Sequence, residues 1–257
     1  MRIFFRIFSL LLLVSAFTPK AEAVVAFQNE NLKYVITYKW GLIHKETGEA
    51  TLKLTKSGDK YNAVLAAKTR PWADKIFQVR DTLKTVIRTS DLRPLSYSKL
   101  THEKGKYKRD DIKYTYSGNT TTGAVRRFRP DKDKGGMKVT EKSFSASGPV
   151  FDMLSVFYYL RSLDFDQLSK NKIYTATIFS GSQKETVKIR SLGLETIKLK
   201  DKSSRQAYHI RFNFTRDGGK KSSDDMDIWI STDSRRIPLY LTGKLPIGEI
   251  RAYYTGG

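Results

Sequence analysis

The side chains that most often coordinate metals or transfer protons are few and scattered in this sequence. The histidines lie far apart, and none stands in a metal-ligand motif. They are His44, His102 and His209. The acidic run at residues 224–227 lacks the spaced oxygen ligands and the closing glutamate of a calcium loop. We therefore predict no metal and no cofactor, and we interpret this run as an exposed turn before a strand at residues 228–230.

Nucleophilic chemistry has little support in the sequence. The chain contains no cysteine, which excludes a cysteine nucleophile, a thiolate zinc site and a disulfide framework. The G-x-S-x-G, H-E-x-x-H and P-loop motifs are also absent. We therefore expect a protein that is not an enzyme. A hydrolase whose catalytic residues come from distant segments is the least favoured alternative.

The elements that must position any binding residues are mostly β-strands. Apolar and polar residues alternate at residues 34–40, 50–56 and 209–215, among other segments. This period-two pattern predicts strands with one buried and one wet face, which is typical of antiparallel sheets. We predict about fifteen strands in an all-β, mainly antiparallel fold, either barrel-like or a strongly curved sheet. A transmembrane barrel is disfavoured, because a narrow lumen would not accommodate so many lysines and arginines.

One segment has helical spacing instead. Val150, Met153, Leu154 and Phe157 follow the i, i+3, i+4, i+7 pattern of an amphipathic helix. We predict a helix over about 149–161, packed at the mouth or on a face of the sheet. It would join two β-rich halves, residues 24–145 and 165–257, of a single domain that covers residues 24–257.

The N-terminus has the three parts of a secretory signal peptide. Arg2 and Arg6 supply the positive charge, an apolar run follows, and an A-x-A site ends at Ala23. The apolar run is too short to cross a hydrocarbon core of ~30 Å. We predict cleavage of residues 1–23 and export, with the periplasm of a Gram-negative bacterium favoured and the extracellular space as the alternative. Without cysteine the protein is not a lipoprotein, and no transmembrane segment remains after cleavage.

The charge balance is strongly basic. The chain has 47 Lys and Arg against 26 Asp and Glu, a formal net charge of +21. Removal of residues 1–23, which carry three cations and one glutamate, leaves +19. Such a charge is typical of nucleic-acid binders, but the predicted export makes nucleic acid an unexpected partner. A lipid or an anionic polymer of the cell envelope would be attracted by the same field. Solvated lysines on the wet strand faces are the simpler interpretation. The oligomeric state is not predicted.

Short motifs spread along the chain also match a known family in their order. They are residues 32–41, 48–52, 67–81, 92–95, 103–107, 151–161 (FDMLSVFYYLR), 228–238 and 243–250. In this order they resemble the DUF3108 family of exported bacterial proteins of unknown function. The resemblance implies an all-β, barrel-like or curved-sheet fold, and it implies neither a reaction nor a catalytic residue. The basic stretch at residues 126–142 departs from the family's pattern.

The function that we predict is therefore binding. Curved antiparallel sheets that are capped by a helix can enclose apolar cavities. We expect a non-enzymatic exported envelope protein that binds or carries a lipid-like ligand. The alternative is a structural factor that binds glycans or polyanions such as lipopolysaccharide or acidic polysaccharide. The candidate cavity-lining residues are Trp40, Trp72, Phe157, Tyr158 and Trp229, with Arg70, Arg80 and Arg161 at a polar rim. For the aromatic residues, ordinary core packing is the competing interpretation, and for Arg161 and Asp152 it is pairing with neighbouring strands.

Overall fold

The structure is a computed structural model that describes residues 25–257 except 104, 132, 134, 169–172, 217–218, 220–222 and 245–247. The predicted signal peptide at residues 1–23 lies outside the described residues. The strands are β1 (Glu30–Trp40), β2 (Ile43–Ser57), β3 (Lys60–Thr69), β4 (Val79–Arg88), β5 (Pro94–Glu103), β6 (Lys106–Ser117), β7 (Thr120–Pro130), β8 (Met137–Ser147), β9 (Val150–Phe151), β10 (Tyr174–Phe179), β11 (Lys184–Lys198), β12 (Ser204–Arg216), β13 (Met226–Ser231), β14 (Pro238–Lys244) and β15 (Glu249–Gly256). The helices are α1 (Pro71–Asp74) and α2 (Ser155–Ser162).

All fifteen strands belong to one sheet. Its order runs from β8 back to β1, then from β15 back to β9, so each hairpin neighbour in sequence is also a neighbour in the sheet. The two halves meet where β1 pairs with β15, for example at Lys39 and Glu249. Pairing is antiparallel except between β9 and β10. The predicted all-β, mainly antiparallel fold is confirmed.

The two ends of the sheet approach each other and almost close it into a barrel. Phe179 at the end of β10 lies between two rings from the other end of the sheet. Its ring centroid is 6.0 Å from that of Tyr114 and 5.5 Å from that of Phe144. Gly123 on β7 leaves the space for this ring, because a Cβ there would lie 2.6 Å from Phe179 Cδ2. The seam therefore depends on a phenylalanine that packs over a glycine.

The helix is shorter than its sequence pattern predicts. We expected it over residues 149–161, but α2 begins at Ser155. Val150 and Phe151 instead form β9 and pair with β10, where both side chains are buried. Asp152 lies just before the helix, and its Oδ1 accepts the backbone N–H groups of Leu154 and Ser155 at 2.8 and 2.7 Å. A short apolar run fits a buried strand as well as a helix. The first residue of the helix therefore could not be predicted without knowing that residues 150–151 pair with β10.

Both faces of α2 are buried, so the helix fills the inside of the barrel. Leu154 and Tyr158 belong to the apolar core that lines β1–β8. Val156 and Leu160 belong to the core formed mainly by β10–β13. The helix therefore packs against the cores of both halves of the sheet.

Candidate functional site

An apolar cavity of about 270 Å³ lies between α2 and the inner faces of β1–β3, β14 and β15. Most of its wall is aliphatic, and many wall residues are only half-buried, so the cavity is accessible from solvent. Its volume is just under the ~300 Å³ at which ligand pockets usually begin. The wall includes Ile36, Ala67, Leu154, Phe157, Leu241 and Ala252.

Small residues at matching positions create this space. Ala50 on β2 and Ala67 on β3 lie directly opposite each other in the register. Ala252 on β15 pairs with Ile36 on β1 in the same part of the barrel. All of these side chains face α2 across the cavity. Larger side chains there would fill the gap, since protein interiors otherwise pack to high density.

The cavity wall presents no charged group. The most polar wall residue is Tyr34, and its hydroxyl is buried rather than exposed to the cavity. Burial raises the pKa of Tyr34 well above its ordinary value, so its hydroxyl stays protonated. The exposed part of this residue is its ring, which packs edge-to-face on Tyr254. The cavity therefore suits an apolar group and offers no acid, base or nucleophile.

An ion pair fixes the C-terminal end of α2. Arg161 is fully buried and binds both carboxylate oxygens of Glu30 on β1, at 2.6 and 2.8 Å. It also donates to the carbonyl oxygens of Arg235 and Arg236 in the β13–β14 turn. Burial opposes the charge on Arg161, but the hydrogen bonds and charge of Glu30 outweigh it, so the pKa of Arg161 is raised. Pairing with a neighbouring strand, the competing interpretation of this residue, is what the structure shows.

A buried carboxyl fixes the other end of the same helix. Asp152 has no solvent exposure, and its Oδ2 accepts the hydroxyl of Thr85 on β4 at 2.6 Å. The Thr85 hydroxyl also lies 3.1 Å from the carbonyl oxygen of Ser96. Because a hydroxyl has only one hydrogen, it cannot donate to Asp152 and to Ser96 at the same time. Burial is the main reason that the pKa of Asp152 is raised to about 6. A protonated Asp152 could donate to Thr85, which would leave the Thr85 hydrogen for Ser96.

Three of the candidate binding residues meet at α1, outside the cavity. Arg70 Nη2 binds Glu46 Oε2 at 2.6 Å, and Trp72 donates to the carbonyl oxygen of Glu46 at 3.1 Å. Arg80 Nη2 binds Asp74 Oδ2 at 2.6 Å. The hydrogen bonds from Arg80 and Thr69 lower the pKa of Asp74. These contacts attach the connection between β3 and β4 to the start of β2.

The expectation that all eight candidates surround one cavity is therefore corrected. The wall includes Phe157, whereas Tyr158 and Arg161 are buried in packed structure beyond it. Trp40 lies exposed at the end of β1. Trp229 does not line the cavity, and it stands on β13 between Ile228 and Ile230, which belong to the core of β10–β13. Strand alternation identified which residues share a face, but it could not identify which face is inside. The aliphatic wall residues that the sequence reasoning missed carry no distinctive motif.

An ionic cluster shared by β11, β12 and β13 has no local signature in the sequence. His209 Nδ1 lies 2.7 Å from Glu195 Oε1, and His209 Nε2 lies 2.9 Å from Asp227 Oδ1. The Trp229 ring stacks on His209 at 4.3 Å and donates to Glu195. Asp227 belongs to β13, so the interpretation of residues 224–227 as a turn is wrong for this residue. Only strand register brings these distant residues together.

Within the described part of the chain, no group of three or more His, Asp or Glu side chains has a metal-binding arrangement. Among the same residues, no helix combines the length and the apolar composition that a membrane crossing requires.

Comparisons with known proteins agree with this architecture. Residues 33–255 match the model of a family described as protein of unknown function, DUF3108. The chain is also similar to a crystal structure of a beta-barrel-like protein of domain of unknown function DUF1849 from Brucella abortus. The TM-score is 0.61 at 12% identity, over 90% of this chain and 97% of the other. At this identity the likeness shows the fold alone. Comparison with curated proteins finds no match.

Proposed function

The chain belongs to the DUF3108 family, and we propose that it is a non-enzymatic exported protein that binds the apolar part of a lipid-like ligand in the cavity beside α2. The observation that carries the proposal is the wall of that cavity, which is aliphatic and aromatic and has no exposed polar atom. Burying apolar ligand surface there would gain roughly 25 cal/mol per Å². Binding is favoured over catalysis because the wall has no charged group, and its one phenol, Tyr34, has a buried hydroxyl that stays protonated.

The volume of the cavity limits the ligand. About 270 Å³ accommodates one slender apolar moiety, and the remainder of a larger amphiphile would stay outside. The ligand would enter along the half-buried residues Ile36, Ala67 and Ile250, which lie toward one end of the barrel. At the other end, the buried pair of Arg161 and Glu30 ties α2 to β1. This fixed helix keeps the cavity open without a ligand.

Extraction of the protein's own ligand tests this proposal. The full chain would be expressed in its native cells, and the protein would be purified from the envelope without detergent. We expect organic extracts to contain a stoichiometric acyl or other apolar compound by mass spectrometry. An empty extract, together with failure to bind an added fluorescent fatty acid, would overturn the proposal. N-terminal sequencing of the same sample tests the predicted cleavage after Ala23.

A further inference from the structure

Apolar side chains are exposed on two connections that lie at the same end of the barrel. Leu42 in the turn between β1 and β2 is fully exposed, and Ile76 between β3 and β4 is 74% exposed. We call the exposed residues of these two connections the apolar tip. It consists of Trp40, Leu42, Trp72, Ile76 and Phe77. Neighbouring exposed apolar side chains of this size usually mark an interaction surface.

The apolar tip is held in place by polar contacts beneath it. The Arg70 backbone N–H donates to the carbonyl oxygen of Thr47 at 2.8 Å, which ties the connection between β3 and β4 to strand β2. The salt bridges from Arg70 to Glu46 and from Arg80 to Asp74 support the same segment. Ala73 of α1 is buried while Trp72 and Ile76 on either side are exposed. The fold therefore presents these apolar groups to solvent on an ordered base.

The segments that carry the apolar tip have an excess of cations. Residues 39–46 and 70–80 contain five Lys and Arg against two carboxylates, Glu46 and Asp74, a formal net charge of +3. Both carboxylates are engaged in salt bridges with arginines. Lys45 and Lys75 are exposed, and the Lys45 ammonium lies 5.4 Å from the centre of the Trp72 ring. The surface thus combines tryptophan side chains, exposed aliphatic side chains and positive charge.

The wall of the cavity reaches the same end of the barrel as this surface. Ala67 of the cavity wall is two residues before the end of β3, from which the α1 connection starts. Ile250 is the second residue of β15, whose start pairs with the end of β1. A ligand entering the cavity from this end would pass beside the apolar tip.

We propose that the apolar tip docks this end of the barrel onto an anionic lipid bilayer. Tryptophans reside at the bilayer interface, aliphatic tips insert into it, and lysines are attracted by acidic headgroups. This complementarity favours a membrane over a protein partner. The inference extends the proposed function, since docking would bring the cavity entrance to a source of lipid, but the two properties can be measured separately.

Vesicle co-sedimentation tests the docking with protein produced from the full chain. One variant carries Leu42→Ser and Ile76→Ser, and a matched control carries Ile173→Ser and Leu194→Ser, which are exposed elsewhere. We expect wild type and control to bind vesicles of phosphatidylcholine with phosphatidylglycerol. The tip variant should bind at least about tenfold more weakly. Pure phosphatidylcholine or high salt should weaken wild-type binding. Circular dichroism checks folding, and Lys45→Glu with Lys75→Glu gives a second, charge-based variant.

Uptake of dansyl-labelled undecanoic acid in vesicle-free solution separates the two proposals. Wild type, tip variant and control should take up this probe equally if the cavity binds ligand and the tip serves docking. Wild-type protein that stays in solution with acidic vesicles would overturn the docking, whatever the probe shows. Equal vesicle binding by the tip variant, the charge variant and the control would also overturn it. Loss of probe uptake by all proteins, with docking retained, would contradict the cavity proposal alone.

Discussion

Arg161 on the central helix and Glu30 on the first strand form a bidentate ion pair across 131 positions of sequence. The arginine side chain has no solvent exposure and that of the glutamate 7%. The Arg161 guanidinium also lies over the Phe27 ring, 4.8 Å from its centre. The pair therefore fixes where α2 lies inside the barrel, and with it one wall of the cavity.

Removing the acid of this pair should destabilise the fold strongly. Glu30→Ala leaves the buried guanidinium of Arg161 without its counter-charge, which should cost about 3–5 kcal/mol of unfolding free energy. Urea unfolding followed by circular dichroism measures this loss. The control is Glu141→Ala, which breaks an exposed pair with Arg126 and should cost at most about 1 kcal/mol. Equal losses for the two variants would contradict a structural role for the buried pair.

The buried carboxyl of Asp152 should make stability depend on pH. Burial raises its pKa from 3.8 to about 6, so the folded state favours the neutral form. Its contribution to stability is complete below an unfolded-state pKa of about 4 and is lost as the pH rises through about 6. Asp152→Asn removes this titration, while its amide can still accept from the Ser155 N–H and donate to Thr85.

The measurement is the unfolding free energy of wild type and Asp152→Asn at about pH 4 and about pH 7. Relative to wild type, the variant should gain stability on going to the higher pH, by on the order of 3 kcal/mol, since one pKa unit is worth about 1.4 kcal/mol. A difference between the two proteins that stays constant over this interval would show that the burial of Asp152 does not control its ionisation.

The barrel seam should not tolerate a methyl group at Gly123. Its Cβ would lie 2.6 Å from Phe179 Cδ2 and 3.1 Å from Ile112 Cγ2, so Gly123→Ala should cost about 1–3 kcal/mol. The comparison is Ala124→Gly at the next, exposed position. There the exchange of alanine for glycine should itself cost about 0.5–1 kcal/mol. The unfolding temperatures of both variants and of wild type are compared by thermal unfolding. A Gly123→Ala protein as stable as wild type would contradict the close packing of Phe179 on Gly123.

The sequence predicts the strands better than it predicts their contacts. The alternation around Tyr34 and Ile36 correctly placed these residues on one face, because period-two burial is a local property. The start of α2 was harder to predict, since Val150 and Phe151 fit a helix pattern and pair with β10 only in the folded chain. The pairing of Arg161 with Glu30 depends on the path of the whole sheet, which no local pattern encodes.

The cavity illustrates the same limit. The sequence predicts large aromatic residues as the ligand-binding groups. The cavity exists instead because small residues such as Ala50 and Ala67 line it. An alanine in a strand is unremarkable until register places it opposite another alanine and beneath a helix. Trp229 shows the converse, because its size suggested a place in the cavity wall, whereas its ring stacks on His209 and Tyr240 away from that wall.

The most direct test of the central claim is to fill the cavity and measure ligand binding. Ala67→Leu extends into the cavity, whereas Ala66→Leu, on the opposite face of the same strand, is exposed. Binding of dansyl-labelled undecanoic acid is followed by fluorescence titration. We predict that Ala67→Leu weakens binding at least about tenfold, since it occupies volume that the ligand needs, while Ala66→Leu binds like wild type. Wild-type affinity in a folded Ala67→Leu protein would contradict the assignment of this cavity as the ligand site.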